Sequence, residues 1–227
     1  MQLDRRRLVL GGLPNFLFLP SVIADNNNLN KKKFPFRILN DAFRFDDLTI
    51  HAPPLNDLKE CQALVNLKKY RTPQNIDLIK LENIGFLEFF YQALDKSDFN
   101  GVFLNGILED VLYDLFLIVL EFKKKFKRKR PSQILKEVEP VIEVPWHSSY
   151  PSGHATQAKV ISEIMGNLFS EKKEEFELLA KRIGENREIA GLHYPSDTTA
   201  GFILGKHLST IFLEQLNPIF NDSNFKI

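Results

Sequence analysis

The chain has 227 residues, a mass of 26.3 kDa and a formal net charge of +1. With 44% hydrophobic and 26% charged residues, it has the composition of a globular protein, which excludes an intrinsically disordered or collagen-like chain. The balanced charge gives no overall field that would favour nucleic acid or a membrane surface. One cysteine, Cys61, excludes internal disulfides and Cys-rich metal sites. Its apolar helical neighbours predict a small core residue.

The N-terminus has the pattern of an export signal. Arg5, Arg6 and Arg7 precede a short apolar stretch that runs to Leu19, and Val22-Ile23-Ala24 offers a cleavage site. The paired arginines resemble a twin-arginine signal. An uncleaved anchor or a frayed tail is the alternative, but the apolar run of about 12 residues is short of the roughly 20 that span a bilayer.

We therefore divide the chain into a signal peptide (1–24), a linker and N-terminal extension (25–52), a helical domain (53–220) and a tail (221–227). Within the linker, the Asn- and Lys-rich residues 25–33 are expected to be solvated. The expected location is periplasmic or secreted, in a bacterium. No integral membrane segment is expected in the mature chain, because the longest apolar run, Val111 to Leu120, contains Asp114 and is followed by lysines.

The apolar spacing along the domain is helical. It predicts helices over 57–70, 75–94 with a break at Gly85, and a long helix whose apolar face runs from Leu104 to Phe122. A connecting loop with a short extended piece at 138–144 follows, and then three further helical stretches from Ala158 onward. No alternating strand pattern of useful length is present, so the predicted fold class is all-α.

Three places interrupt the amphipathic pattern. The first is the run from Lys123 to Arg130, in which seven of eight residues are basic, followed by Pro131. Cations at a helix end complement the helix dipole. Considered by itself, the run is therefore also consistent with a solvated surface or a polyanion patch.

The second interruption is Tyr150-Pro151-Ser152-Gly153-His154, which begins the next helix. Unpaired N–H groups and a partial positive charge at a helix N-terminus suit an anion, and Ser152 also suits an ordinary N-cap.

The third interruption contains Arg187, His193 and Asp197. Arg187 lies on the apolar stripe of its predicted helix, where a cation needs an anionic partner. Ser196 is expected to be the N-cap of the last helix. A histidine beside a carboxylate also occurs in structural ion pairs.

Taken together, the order and spacing of the three blocks resemble the signature of the type 2 phosphatidic acid phosphatase superfamily. That superfamily includes bacterial acid phosphatases, membrane lipid phosphatases and vanadium haloperoxidases. Chain length and the export signal are most similar to the class A bacterial nonspecific acid phosphatases, which implies a compact helical bundle of the acid phosphatase/vanadium haloperoxidase type. One departure is Asn186, which stands where a serine usually precedes the arginine, and a modest change in support of the phosphate site is expected.

The resemblance implies a role for each matched residue. His193 would be the nucleophile that forms a phosphohistidine, Asp197 would accept its other ring N–H, and His154 would protonate the leaving group. The remaining matched residues would bind the phosphoryl oxygens: Lys123, Arg130, Ser152, Gly153 and Arg187. No metal or cofactor is required by this scheme, although vanadate could act as a transition-state mimic.

The implied function is hydrolysis of small phosphomonoesters. A vanadium-dependent haloperoxidase, with vanadate as cofactor, and a lipid phosphate or diphosphate phosphatase remain alternatives. A polyanion-binding protein would leave His154, His193 and Asp197 unexplained. The chain lacks the His-Glu-x-x-His and Gly-x-Ser-x-Gly patterns of zinc and serine hydrolases. The expected partner is a small substrate and not nucleic acid, and the sequence allows a homo-oligomer.

Three other histidines receive no catalytic role. We interpret His51, His147 and His207 as structural or surface residues, with His147 near enough to Ser152 in sequence to line the mouth of a pocket.

Overall fold

The structure is a computed structural model that describes residues 34–94 and 101–222, all within the unit Lys33–Ile227. The predicted signal peptide and the stretch 25–33 lie outside the described residues. The described α-helices are α1 (Asp57–Leu67), α2 (Pro73–Ile84), α3 (Leu87–Gln92), α4 (Gly101–Phe126), α5 (Pro131–Ile134), α6 (Gly153–Leu168), α7 (Lys173–Ile189) and α8 (Pro195–Phe220).

The helical prediction is confirmed, and no strand occurs in 34–94 or 101–222. A 3-10 turn, Lys68–Tyr70, continues α1, and the break predicted at Gly85 separates α2 from α3. The eight apolar residues whose spacing predicts the long helix are all buried in α4: Leu104, Ile107, Leu108, Val111, Leu115, Ile118, Val119 and Phe122. Cys61 is buried in α1 as expected.

Two local predictions are wrong. The extended piece expected at 138–144 does not form, since a 3-10 turn, Lys136–Val138, is followed by irregular backbone. Ser196 does not cap α8, because the helix already begins at Pro195 with Tyr194 as its N-cap. Proline is well suited to the first position of a helix, where its missing N–H costs nothing.

Helix α6 lies between α4, α7 and α8 and organises the core. Its first turn is close to that of α8 because Gly201 has no side chain. A Cβ on Gly201 would lie 2.7 Å from the Ser152 carbonyl oxygen and 2.9 Å from the Ala155 Cβ. At this approach the Ser152 N–H donates to the Asp197 carbonyl at 3.0 Å. The starts of α6 and α8, which carry two of the three sequence blocks, are thereby held together.

The N-terminal extension binds the middle of α4 through Asp114. This buried carboxylate accepts hydrogen bonds from the backbone N–H groups of Arg37, Ile38 and Leu39 at 2.8–3.0 Å. Desolvation raises the pKa of Asp114, while these three bonds act in the opposite direction. The acidic residue that interrupts the apolar run therefore anchors the extension.

A turn after α7 lies within the third block and depends on Gly191. Its φ is +78°, a left-handed conformation that disfavours any other residue. A Cβ there would also lie 2.8 Å from Val138 Cγ1. Arg71 fixes the same region by donating to the carbonyls of Val138, Glu139 and Ile189 at 2.7–3.0 Å.

Within the part of the chain that the structure describes, none of the helices combines the length and the apolar character needed to cross a membrane.

Replacing Gly191 tests how much this turn contributes to stability. We expect Gly191→Ala to lower the free energy of unfolding by at least about 1–2 kcal/mol, because the left-handed conformation is strained and the added methyl meets Val138. Urea unfolding followed by circular dichroism measures the change. Gly106→Ala is the matched control, since Gly106 lies inside α4 with nothing within 4 Å of the added Cβ. It should be neutral or stabilising by up to about 1 kcal/mol. Equal effects of the two substitutions would contradict this account of the turn.

Candidate active site

The first block places Lys123 in the interior at the end of α4. Its Nζ donates to the backbone carbonyls of Ser148 and Ser149 at 2.9 and 2.8 Å. An ammonium has three N–H groups, so these two contacts orient it and leave a third. Desolvation first, and the neighbouring Arg130 second, lower the pKa of Lys123 well below its usual value.

Arg130 is buried directly before α5 and reaches the third block. Its NH1 donates to the Leu192 carbonyl at 2.9 Å and lies 3.0 Å from His193 Nε2. Its NH2 lies 3.0 Å from His147 Nδ1. A guanidinium can only donate, so His193 Nε2 is an acceptor. His147 Nδ1 also lies 3.3 Å from the Ser148 carbonyl oxygen, so it accepts from Arg130 in one tautomer and donates to Ser148 in the other. His147, interpreted from the sequence as a structural or surface residue able to line the mouth of a pocket, thus contacts Arg130 directly.

The neighbours of His193 determine its tautomer. Its Nδ1 lies 3.0 Å from Asp197 Oδ2, and a carboxylate can only accept, so the proton is on Nδ1. The lone pair is then on Nε2, where Arg130 donates. Burial lowers the pKa of His193 well below its usual value, and the positive charges of Arg130 and Lys123 lower it further. The ring is therefore a neutral imidazole with a basic nitrogen on the side of the cations.

Arg187 is fully buried on α7, and its counterion comes from α2. Its NH2 donates to Glu82 Oε2 and to the Ile79 carbonyl, each at 3.0 Å. The expectation that Arg187 needs an anionic partner is confirmed, and the partner is itself fully buried. Asn186 also serves this pair, because its Nδ2 donates to Glu82 Oε2 at 2.9 Å.

Two of the three guanidinium nitrogens of Arg187 do not contact Glu82 or Ile79. Nε and NH1 are buried, and no group in the described part of the chain accepts a hydrogen bond from either. An unsatisfied buried donor is costly, more so when the group is charged. An oxyanion that accepts from Nε and NH1 would remove this cost.

The second block forms the N-terminal end of α6 and lies in the same site. Ser152 is the N-cap and its Oγ accepts from the Ala155 N–H at 3.4 Å, while Gly153 is the first helical residue. His154 follows, with its ring centroid 6.0 Å from that of Phe86. Desolvation, then the charges of Arg187, Lys123 and Arg130, lower the pKa of His154 to about 3. Lys123 and Arg130 therefore act on both histidines.

The basic run does not form one surface patch. Lys123, Arg128 and Arg130 are buried, whereas Lys125, Lys127 and Lys129 are exposed. Lys124 is partly exposed and pairs with Glu121 at 2.7 Å. Because only Lys123 has the spacing to Arg130-Pro131 that the resemblance requires, the other four lysines of the run are expected to be largely solvated. This is confirmed for Lys125, Lys127 and Lys129, and in part for Lys124. His51 and His207 are exposed, in agreement with their interpretation as surface residues.

Two buried residues were missed by sequence reasoning. Glu82, the counterion of Arg187, lies 105 positions earlier in the chain. Arg128 pairs with Asp197 at 2.6 Å. The only signal for Arg128 was its position two residues before Arg130, and no motif pointed to Glu82.

The site is thus a buried group of cations around a neutral histidine whose ring is hydrogen-bonded to a carboxylate, in an all-helical fold. The description "PAP2 superfamily" belongs to a family model that matches residues 100–220, and the chain belongs to this superfamily. No curated protein matches the chain.

Two solved structures are similar to this one. The first is a bacterial vanadium-dependent iodoperoxidase, with a TM-score of 0.60 and 18% identity over 78% of this chain and 54% of that one. The second is a transmembrane PAP2-type phosphatidylglycerolphosphate phosphatase from Bacillus subtilis, with a TM-score of 0.41 and 20% identity over 78% of this chain and 84% of that one. The chain spans about half the length of the iodoperoxidase, and that likeness shows the fold.

Substitutions in the basic run test which of its cations act in the site. Lys123→Ala and Arg130→Ala should each lower kcat/KM for a phosphomonoester by about 10²–10³-fold, the usual loss for one oriented donor to a developing charge. Lys129→Ala is the matched control, because Lys129 is exposed and has an ordinary backbone, unlike Lys127 with its φ of +50°. It should change kcat/KM less than twofold, since exposed charges contribute little. Similar losses in all three variants would indicate a diffuse electrostatic patch.

Proposed function

We propose that this protein is an exported acid phosphatase that hydrolyses small phosphomonoesters of broad range through a phosphohistidine at His193. The observation that carries the proposal is Arg187, whose buried Nε and NH1 find no acceptor among the described residues, together with His193, whose tautomer is fixed by Asp197. A phosphoryl group would satisfy the donors and present phosphorus to the histidine. The proposed export rests on the N-terminal pattern of residues 1–24.

Substrate binding would use the cations first. Arg187 would donate through Nε and NH1, a planar fork that suits two phosphoryl oxygens. Arg130 would turn NH1 from His193 Nε2 to the phosphate, which exposes the lone pair of the ring. Lys123 would add its third N–H as a point charge, and the Ser152 and Gly153 end of α6 would add a helix N-terminus.

Attack would then proceed from His193 Nε2 in line with the leaving oxygen. The N–P bond forms as the P–O bond breaks, and the electron pair of that bond leaves with the oxygen. His154 would donate a proton to this oxygen. Asp197 would hold the Nδ1 proton throughout and stabilise the positive charge that develops on the ring.

Hydrolysis of the phosphohistidine would complete the cycle. His154, now neutral, would take a proton from a water molecule whose oxygen attacks phosphorus as the N–P bond breaks. The bond electrons return to Nε2, phosphate leaves, and Arg130 can resume its contact with the ring. One histidine would thus serve as acid and then as base.

Substrate binding is expected to change the protonation of His154. In the free site desolvation, together with the three cations, holds its pKa at about 3, so the ring is neutral at ordinary pH. A phosphate dianion among the cations would oppose their effect and raise this pKa. A group that binds its proton more tightly in the complex favours binding as the pH falls. Acidic pH should therefore promote both binding and the first proton transfer.

The alternatives differ in what they would do with the same residues. A polyanion binder is disfavoured because the run 123–130 alternates between buried and exposed positions. A lipid phosphatase would share the phosphate chemistry and differ in the leaving group. Vanadate fits the donors of Arg187 as well as phosphate does, and in a haloperoxidase it would supply the activation of peroxide.

Histidine variants test the two catalytic roles. His193→Ala should abolish turnover of every phosphomonoester, because no nucleophile remains. His154→Ala should lower kcat by about 10²–10⁴-fold for an alkyl phosphate but less for p-nitrophenyl phosphate, whose leaving group needs no proton. Phosphate release is the measurement, with His207→Ala on the exposed side of α8 as the control. Near wild-type turnover by His193→Ala would refute the assignment.

Vanadate separates the phosphatase from the haloperoxidase. Because vanadate mimics the trigonal-bipyramidal transition state, we expect it to inhibit phosphatase activity competitively. We also expect the vanadate-loaded protein to show little bromide oxidation with peroxide. Robust vanadate-dependent bromination together with negligible phosphate release by the vanadate-free protein would favour the haloperoxidase over the phosphatase. A strong preference for a lipid phosphate over p-nitrophenyl phosphate would favour the lipid phosphatase.

A further inference from the structure

Arg128 is a buried cation for which the proposed mechanism has no direct use. It lies between the end of α4 and α1, with its guanidinium 3.8 Å from the centre of the Tyr194 ring. Its five hydrogen bonds have lengths of 2.6–3.1 Å, and the acceptors are Asp57 Oδ1 (from Nε and NH2), Glu60 Oε1, Ser196 Oγ and Asp197 Oδ1. A guanidinium has five N–H groups, so all are in use. Unlike Arg187, Arg128 has no donor left for a phosphate.

The two oxygens of Asp197 are divided between Arg128 and the catalytic side of the site. Oδ1 accepts from Arg128 NH1 at 2.6 Å. Oδ2 lies 3.0 Å from His193 Nδ1 and accepts from Ser149 Oγ at 2.5 Å and from the Tyr194 N–H at 3.2 Å. With Oδ1 held, the carboxylate cannot rotate about its own axis without losing the contact to Arg128. The contact between Arg128 and Oδ1 therefore fixes the direction in which Oδ2 faces His193.

Helix α1 is the fixed support for this arrangement. Glu60 accepts from Arg128 through Oε1 and from the Ser196 N–H through Oε2 at 2.9 Å, which links α1 to the first turn of α8. Asp57 accepts twice from the same guanidinium. Three carboxylates thus surround one arginine, and only that of Asp197 touches a histidine.

We propose that Arg128 is a positioning residue, which holds Asp197 Oδ1 so that Oδ2 keeps the His193 proton on Nδ1, with Asp57 and Glu60 as its anchors. The inference rests on the proposed function, since it assigns the arginine to the nucleophile of that reaction. Arg128 also affects the charge of the His193 ring. A carboxylate shared with a cation attracts the imidazolium form of His193 less strongly, so Arg128 keeps the ring neutral and nucleophilic.

The charged and titratable groups that face His193 set the direction of this effect. They are Lys123 from α4, Arg130 from the segment before α5, His147 from the loop, His154 from α6 and Asp197 from α8. Asp197 is the one anion among them, and Arg128 contacts its far oxygen. Loss of the Arg128 charge should therefore raise the pKa of His193, because it removes a cation and frees the carboxylate for the ring.

The test compares Arg128→Met, Arg128→Lys and Glu60→Gln with the exposed control Lys129→Met, all in the full chain. The first measurement is nitrogen-15 NMR of the imidazole rings across pH in the phosphate-free protein, which reports the tautomer and pKa of His193 without any turnover. We expect Arg128→Met to raise this pKa by about one unit or more and to weaken the Nδ1–H preference. Arg128→Lys should restore the pKa in part, since it keeps the charge and loses the fork.

The second measurement is kcat and KM for p-nitrophenyl phosphate. We expect kcat to fall at least tenfold in Arg128→Lys, with KM within twofold of the wild-type value, because no donor to phosphate is removed. Glu60→Gln should also lower kcat, by a smaller factor. This variant keeps the test decisive if Arg128→Met does not fold. A lower urea midpoint with unchanged His193 tautomer, pKa and kcat would show a purely structural ion pair and overturn the proposal. Absence of phosphatase activity in the wild type would overturn the proposed function, while the NMR result would still decide the role of Arg128.

Discussion

The burial of cations is the constraint on which the arrangement of this structure depends. Lys123, Arg128, Arg130 and Arg187 are each at most 5% exposed inside a helical protein. An unpaired buried charge is very costly, so each must find carbonyl or carboxylate partners. The way in which those partners are supplied decides which cation can still bind a ligand. Arg128 has every N–H in use, whereas the Nε and NH1 of Arg187, with three N–H groups between them, have no acceptor among the described residues.

For two of the four cations, Arg128 and Arg187, most of the partners come from the N-terminal helices, outside the three sequence blocks. Helix α2 supplies Glu82 to Arg187, and α1 supplies Asp57 and Glu60 to Arg128. These helices therefore do more than cover the core, since they set the charge balance of the site. Asn186 adds to this support, because its amide donates to Glu82 at 2.9 Å.

The sequence predicted α4, α6, α7 and α8 well because each has a buried apolar stripe, which a 3.6-residue period reveals. It also placed Lys123, Arg130, Arg187, His193 and Asp197 in one site through the spacing of the blocks. It could not predict Glu82 or Arg128, because a contact between residues 82 and 187 depends on tertiary packing and leaves no local pattern. The misplaced N-cap at Ser196 has a local cause: Pro195 can begin a helix by itself, and Ser196 is hydrogen-bonded to Glu60 and Arg128.

The central claim is that His193 carries the phosphoryl group on Nε2, the nitrogen left free by the Nδ1–H contact with Asp197. It is tested most directly by quenching a reaction with p-nitrophenyl phosphate in denaturant at alkaline pH, where a phosphohistidine survives. Phosphorus-31 NMR and peptide mapping then locate the phosphate. The account predicts one phosphate on Nε2 of His193, and none in His193→Ala. A phosphate on Nδ1, on another residue, or no phosphoenzyme during active turnover would contradict it.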